Sequence, residues 1–286
     1  MRDFLVSRRA RITPEQAGLP AYGGNRRVAG LRREEVALLA GVSIDYYTRL
    51  ERGRAHGASD SVLEGIARAL QLDEAERAHL FDLSRASAPA APRAPRRPSP
   101  QQVRPSVRRI LDSMATTPAY VRNARLDILA ANQLGAALFA AVLSSPARPA
   151  NNARFLFLDP AAREFYCDWE RQAQDVVAML RTEAGRSPHD KGLSNLIGEL
   201  STRSENFRTW WAAHNVRFHR TGVKRFRHPV VGDLTLTFEA LDLAADSGLR
   251  ISAYTAEPGT ASDDAPKVLA SWAATLEQGS PAPDGG

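Results

Sequence analysis

The 286-residue chain is 43% hydrophobic and 24% charged, the balance of an ordinary soluble globular protein, and its length suggests two domains. No run approaches the roughly 18 apolar residues of a membrane span, and MRDFLVSRRARITPEQAG holds no signal-peptide h-region, so a cytoplasmic protein without membrane contact is expected. The net charge of +6 is one-sided: residues 1–105 hold 18 Arg against 12 acidic residues, whereas residues 106–286 hold 20 charges of each sign.

In chain order, the first third reads as helical. Leu31, Val36, Leu38 and Leu39 form an apolar stripe, Gly41 interrupts it, and Ile44, Tyr47 and Leu50 form a second. Helices over 61–70 and 73–84 follow, each opening at a capping Ser or Asp, which makes five short helices in residues 1–85. Residues 86–105 contain six prolines and no apolar periodicity, so they read as an extended linker.

Beyond the linker, in 106–275, the character is mixed. A helix is predicted over 105–115, then a strand–turn–strand in AYVRNARLDILAANQ with its turn at Asn123-Ala124-Arg125 and Asn132 capping the next helix. Helices fit 161–184, 190–200 and 204–214, and strands fit 223–228, 230–242 and 249–256. In the second strand Leu234, Leu236 and Phe238 alternate with polar residues, as a sheet with one buried face requires. A closing helix over 263–275 and a disordered tail, 276–286, end the chain.

LRREEVALLAGVSIDYYTRLERGR, from Leu31 to Arg54, is two amphipathic helices joined by a tight turn. Gly41 supplies the positive φ that ends the first, Ser43 caps the second, and Val36, Val42 and Leu50 hold them from inside. A helix so held projects its N-terminal face into a DNA major groove, which gives Ser43, Ile44, Asp45, Tyr46 and Arg49 as base-reading candidates. Arg32, Arg33, Arg52 and Arg54 flank the helices where phosphates fall.

This stretch resembles the helix-turn-helix of the phage-repressor-like Xre family, over about residues 28–83. In that family the residue equivalent to Glu35 is structural. TPAYVRNARLDILAAN, RFLFLDP, DWE, WWAAHNV, RFRHPVVGDLTL and YTAEPGT, together with the helix-turn-helix, resemble the MmyB-like regulators. That resemblance implies an Xre domain joined to an α+β, PAS-like domain with a central antiparallel sheet, a cavity suited to a fatty-acid-like ligand, and homodimers.

For an acyl pocket the apolar candidates are Phe139, Phe155, Phe157, Trp210, Trp211, Leu234 and Phe238, and the head-group candidates Asn132, Arg154, His214, Arg217, His228 and Tyr254. Plain packing competes for each apolar candidate, helix capping for Asn132, and a satisfied core position for the histidines. Arg217, Arg225 and Arg227 read as solvated strand charges. The histidine spacing matches no zinc motif, Cys167 is a lone thiol, and no nucleophile elbow, phosphate loop or HExxH string is present, so neither metal, cofactor nor catalysis is expected. The reading is a ligand-responsive transcriptional regulator binding a palindromic operator as a homodimer. The alternative is an antitoxin-type DNA binder whose second domain only dimerises or binds a protein.

Overall fold

The computed structural model describes residues 1–20, 28, 30–54, 57–87, 102–145, 148–216 and 220–279. The chain divides into two compact units, the first made of Met1–Pro95, Val177–Asn195 and Arg208–Phe218, the second of Arg96–Val176, Leu196–Phe207 and His219–Gly286.

Five helices lead the first unit: α1 (Arg2–Arg9), α2 (Arg33–Ala40), α3 (Ile44–Glu51), α4 (Asp60–Ala69) and α5 (Glu74–Ala86). Ser43, Ser59 and Asp73 cap α3, α4 and α5 by accepting from the backbone N–H three residues on. The α4 cap therefore lies two residues before the Ser61 that opens the sequence-predicted helix. Phe4, Leu5, Leu31, Val36, Tyr47, Leu50, Leu63, Ile66 and Leu80 form the core, and Val216 joins it from far along the chain. Gly65 lets α4 approach α2, since a Cβ there would meet the Ala40 carbonyl at 2.7 Å.

Segments 177–195 and 208–216 belong to this unit through specific polar contacts. Buried Arg8 pairs with Glu76 at 2.7 Å and donates to the His214 carbonyl at 2.6 Å. Arg186 pairs with Asp82 at 3.0 Å. Arg181 donates to His214 Nδ1 at 2.9 Å while its guanidinium lies 3.8 Å over the Trp211 ring. Gly185 gives room to His79, whose ring carbon would lie 2.5 Å from a Cβ. His79 is held neutral, pushed down to about 3 first by burial and then by the N-terminal ammonium and Arg181. His214 is lowered to about 4 by burial and by Arg181, which agrees with a ring nitrogen that accepts.

The second unit is built on an antiparallel sheet of order β2-β1-β5-β4-β3, with β1 Ala119–Arg122, β2 Ile128–Ala131, β3 Thr221–His228, β4 Gly232–Asp242 and β5 Arg250–Thr255. Around it lie α6 (Pro105–Ser113), α7 (Gln133–Leu138), α8 (Ala140–Leu143), α9 (Asn152–Leu158), α10 (Ala161–Phe165) and α14 (Ala265–Gly279). The helix α11 (Trp169–Arg186), α12 (Lys191–Arg203) and α13 (Glu205–Ala212) each have residues in both units.

Registers Tyr120↔Ser252, Phe238↔Tyr254, Lys224↔Leu236 and Phe226↔Leu234 put those residues on one sheet face. On the other face Val107 and Leu111 of α6 pack on Ala119, Val121 and Ile251.

Three sequence expectations change. The helix read over 161–184 is two, α10 and α11, because Tyr166 leaves the helix to bridge Phe226 and the Cys167 N–H donates to the Arg225 carbonyl at 3.1 Å. α14 continues to Gly279, into the stretch read as tail. Leu38, read as part of the inward stripe, is 72% exposed. The linker arginines Arg93, Arg96 and Arg97 lie outside the described residues, while Arg104 pairs with Asp246 at 2.8 Å.

Candidate DNA-reading and ligand sites

The turn between α2 and α3 sets the first site. Gly41 adopts φ +68° and its N–H, with that of Val42, closes the end of α2 on the Leu38 and Ala37 carbonyls. Ser43 then accepts from Tyr46 N at 3.1 Å. Tyr47 and Leu50 anchor α3 in the core, which leaves Ser43, Ile44, Asp45 and Arg49 exposed and Tyr46 half-buried. The Arg49 guanidinium sits 5.8 Å from the Tyr46 ring centroid, so the two side chains share one patch. A groove of about 710 Å³, lined by Leu19, Ala37, Leu38, Val42, Ser43 and Ile44 among others, opens beside it.

All four flanking arginines are exposed, but in different settings. Arg32 caps α2, its N–H bonded to Glu35 at 2.6 Å, which gives Glu35 a structural task. Arg33 is paired with Glu51 at 3.0 Å, and Glu51 is buried and also holds Arg9 at 3.0 Å. Arg52 and Arg54 follow α3, where the Gly53 N–H returns to the Leu50 carbonyl.

The ligand candidates do not converge. Asn132 accepts from Gly135 N at 2.7 Å and Ala119 N at 3.0 Å, and donates to the carbonyls of Met114 and Thr117 at 2.9 and 2.8 Å. It pins β1 to the start of α7. Arg154 pairs with Glu199 at 2.8 Å. His228 is buried against Trp272 and uses both ring nitrogens, 3.2 Å from the Ala137 carbonyl and 3.2 Å from Val230 N, which fixes the β3–β4 turn. Trp210 and His214 fall in the first unit with Trp211, and Arg217 lies outside the described residues.

Tyr254 is the exception. It is buried at the centre of an aromatic cluster, 5.1 Å from Phe139, 5.9 Å from Phe226 and 6.1 Å from Phe238 between ring centroids. Its hydroxyl lies 3.3 Å from that of Tyr120. Leu234 faces the same side, whereas Phe155 contacts Phe165 and Tyr166, and Phe157 contacts Phe207.

Beside Tyr254 the structure places two residues absent from the sequence-derived set. Lys224 is buried, with Nζ 4.6 Å over the Phe238 ring and 5.9 Å from Tyr254. Burial, then the nearby Arg122 charge, lowers its ammonium to about 7 against the pull of Asp175. Arg122 is itself buried, and dehydration lowers it too. A desolvated cation–π contact contributes about 2 kcal/mol, whereas dehydrating an ion costs several, so the rings alone leave Lys224 short of compensation. The signal was in the sequence: in β3 the period of two that turns Phe226 and His228 inward also turns Lys224 inward. Arg225 and Arg227, on the opposite parity, are exposed and paired with Asp168 and Asp233.

Among the described residues no helix is long and apolar enough to cross a membrane, and no group of three His, Cys, Asp or Glu could hold a metal ion. Residues 8–80 match the model of a helix-turn-helix domain family, and residues 103–269 match that of the MmyB-like transcription regulator ligand binding domain. No curated protein matches the chain.

Proposed function

The chain belongs to the MmyB-like transcription regulator family and is a DNA-binding regulator; from that premise we propose that it reads a palindromic operator as a homodimer and changes its grip on DNA when a fatty-acid-like molecule enters the second unit. The observation that carries the DNA half is the α3 surface. Ile44, Asp45 and Arg49 stand exposed on a helix whose other side is locked into the core by Tyr47 and Leu50.

In this reading Arg49 donates to guanine O6 and N7, Asp45 accepts from cytosine N4, Ile44 packs on a thymine methyl, and Ser43 and Tyr46 complete the base-reading set. Arg32, Arg33, Arg52 and Arg54 hold phosphates and set the register. Two copies would place their helices roughly 34 Å apart, one DNA turn, or a multiple of it. The sensing half draws support from the ligand-binding domain match and from the aromatic cluster around Tyr254. A ligand changes DNA affinity only by binding two arrangements of the protein unequally. Such a protein works in the cytoplasm, beside its DNA.

The test has two arms. Selection from random duplexes recovers a palindromic site, and sedimentation shows two chains on it. Mass spectrometry of small molecules extracted from the purified protein identifies an apolar acid whose addition shifts operator affinity. Recovery of non-symmetric sites bound by one chain would overturn the dimer.

A further inference from the structure

Residues 208–216 lie within the stretch matched by the ligand-binding domain family, 103–269, yet they belong to the first unit. Three arginines gather on their turn. Arg8 of α1 donates to the His214 carbonyl at 2.6 Å, and Arg11, just past α1, donates to the Ala213 carbonyl at 3.2 Å and to Asn215 Oδ1. Arg181 of α11 donates to the Trp211 carbonyl and lies 2.9 Å from His214 Nδ1. His214 itself takes φ +53°, a left-handed backbone that a residue with a Cβ keeps only where its surroundings hold it.

The same helix has a second grip, on the reading helices. Arg9 donates to the Leu31 carbonyl at 2.7 Å, just before α2, and to Glu51 at the end of α3 at 3.0 Å. Gly30 permits that approach, since a Cβ there would meet the Arg9 carbonyl at 2.4 Å. Glu51 is buried, and its other oxygen accepts from Arg33 Nε at 3.0 Å. One helix of eight residues therefore holds the 211–215 turn through Arg8 and, one residue on, the carboxylate that detains Arg33.

We propose that α1 is the relay by which the ligand-binding domain acts on the grip on DNA: the seating of the 211–215 turn on Arg8 and Arg11 fixes α1, and Arg9 passes that setting through Glu51 to Arg33. This rests on the ligand-sensing reading above and adds its route. The signal enters along α11, one continuous helix that starts at Trp169 in the second unit and carries Arg181 in the first. With the turn seated, Arg9 satisfies Glu51 and leaves Arg33 able to reach a phosphate. With the turn displaced, α1 loses two anchors and Arg9 loosens, so the buried carboxylate, costly to leave unpaired, keeps Arg33 for itself. Arg9 is thus a positioning residue, acting on DNA only through Arg33.

Anisotropy titrations of the full-length protein with a mixed-sequence duplex of about two helical turns test the relay, since phosphate contacts are read on any sequence. Two variants disturb the turn without removing a charge: Asn215→Ala on the surface, and Arg8→Lys, which keeps a cation but loses the fork. Each is expected to weaken binding by about threefold or more, although neither residue lies on the reading helices. In an Arg33→Ala background both losses vanish, because the relay ends there. Coupling is reciprocal, so bound duplex should slow hydrogen exchange of the 208–216 amides. If Arg8→Lys fails to fold, the exposed Asn215→Ala decides alone. Equal losses in both backgrounds, no loss at all, or exchange in 208–216 indifferent to DNA overturns the relay and leaves ligand sensing to its own extraction test. A wild-type protein that binds no duplex overturns the relay and the DNA reading together.

Discussion

One group of cations in each unit makes a useful contrast, since the two groups stand in opposite settings. In the first, Arg49, Arg52 and Arg54 are left in water at the end of a helix whose other face is core. A solvated cation is cheap to keep and loses little on meeting a phosphate, so it suits a partner that is itself a polyanion. In the second, Lys224 and Arg122 are buried, Lys224 over the ring of Phe238. A buried cation is costly unless neighbouring groups offset its dehydration, and for Lys224 the Asp175 carboxylate and the Phe238 ring act in that direction.

The largest expected effect checks whether polar groups of the second unit are structural or sensory. Asn132→Ala removes the partner of two backbone N–H groups and two carbonyls at the β1–α7 junction. At about 1–3 kcal/mol per buried orphan, partly relieved by relaxation, the loss is roughly 3–5 kcal/mol in ligand-free chemical unfolding. A change below about 1 kcal/mol would return Asn132 to the ligand set.

The next effect belongs to the first unit and is set by pH. His79 is lowered to about 3 and His214 to about 4, so between those values and about 6.5 the unfolded chain binds protons that the folded chain refuses. Their contribution is full above pH 6.5 and is lost as pH falls toward 3. From His79 alone the loss is about 2 kcal/mol at pH 5. Thermal unfolding followed by helical signal between pH 7 and 5 reads it, and His79→Gln should flatten the slope. An identical slope in that variant would mean the ring is protonated in the folded state.

How legible all this was in the sequence differs by unit as well. The helix-turn-helix was readable because its signals are local: Gly41 at φ +68°, the Ser43 cap, and Val36 and Leu50 inward. Leu38 misled because helical periodicity says which residues share a face, not how far the neighbouring helix covers it. In the sheet unit, the alternation of Leu234, Leu236 and Phe238 gave β4 its buried face. Lys224 was passed over because residue type outweighed its parity with Phe226. No local pattern signals that segments 177–195 and 208–216 join the first unit; that rests on pairings such as Arg8 with the His214 carbonyl, about 200 residues apart in sequence.

Returning to solvated charge, Arg49→Ala should cost roughly 1–3 kcal/mol on the operator and relax one base position, with a smaller loss on random DNA. Competition binding against operators carrying single substitutions reads both quantities. Equal losses on operator and random duplexes would place Arg49 among the phosphate contacts and leave base reading to Ile44 and Asp45.

The smallest effect separates the flanking arginines from one another. Arg52 and Arg54 are exposed beyond the end of α3, so replacing either with Ala should weaken binding to every sequence alike and lower the slope of log affinity against log salt by about one unit. Arg33 starts from a different state, its guanidinium 3.0 Å from buried Glu51. To reach a phosphate it must share or leave that carboxylate, so Arg33→Ala should change the slope by less than one unit and also lower stability. Titrations at several salt concentrations, with an unfolding curve for each variant, distinguish the two kinds of arginine. A full unit lost in Arg33→Ala with stability unchanged would mean that Glu51 is satisfied by Arg9 alone and that Arg33 is as free for DNA as Arg54. An unchanged slope in both Arg52→Ala and Arg54→Ala would move the backbone contacts to the α2 end, where Arg32 lies beside the helix N-terminus.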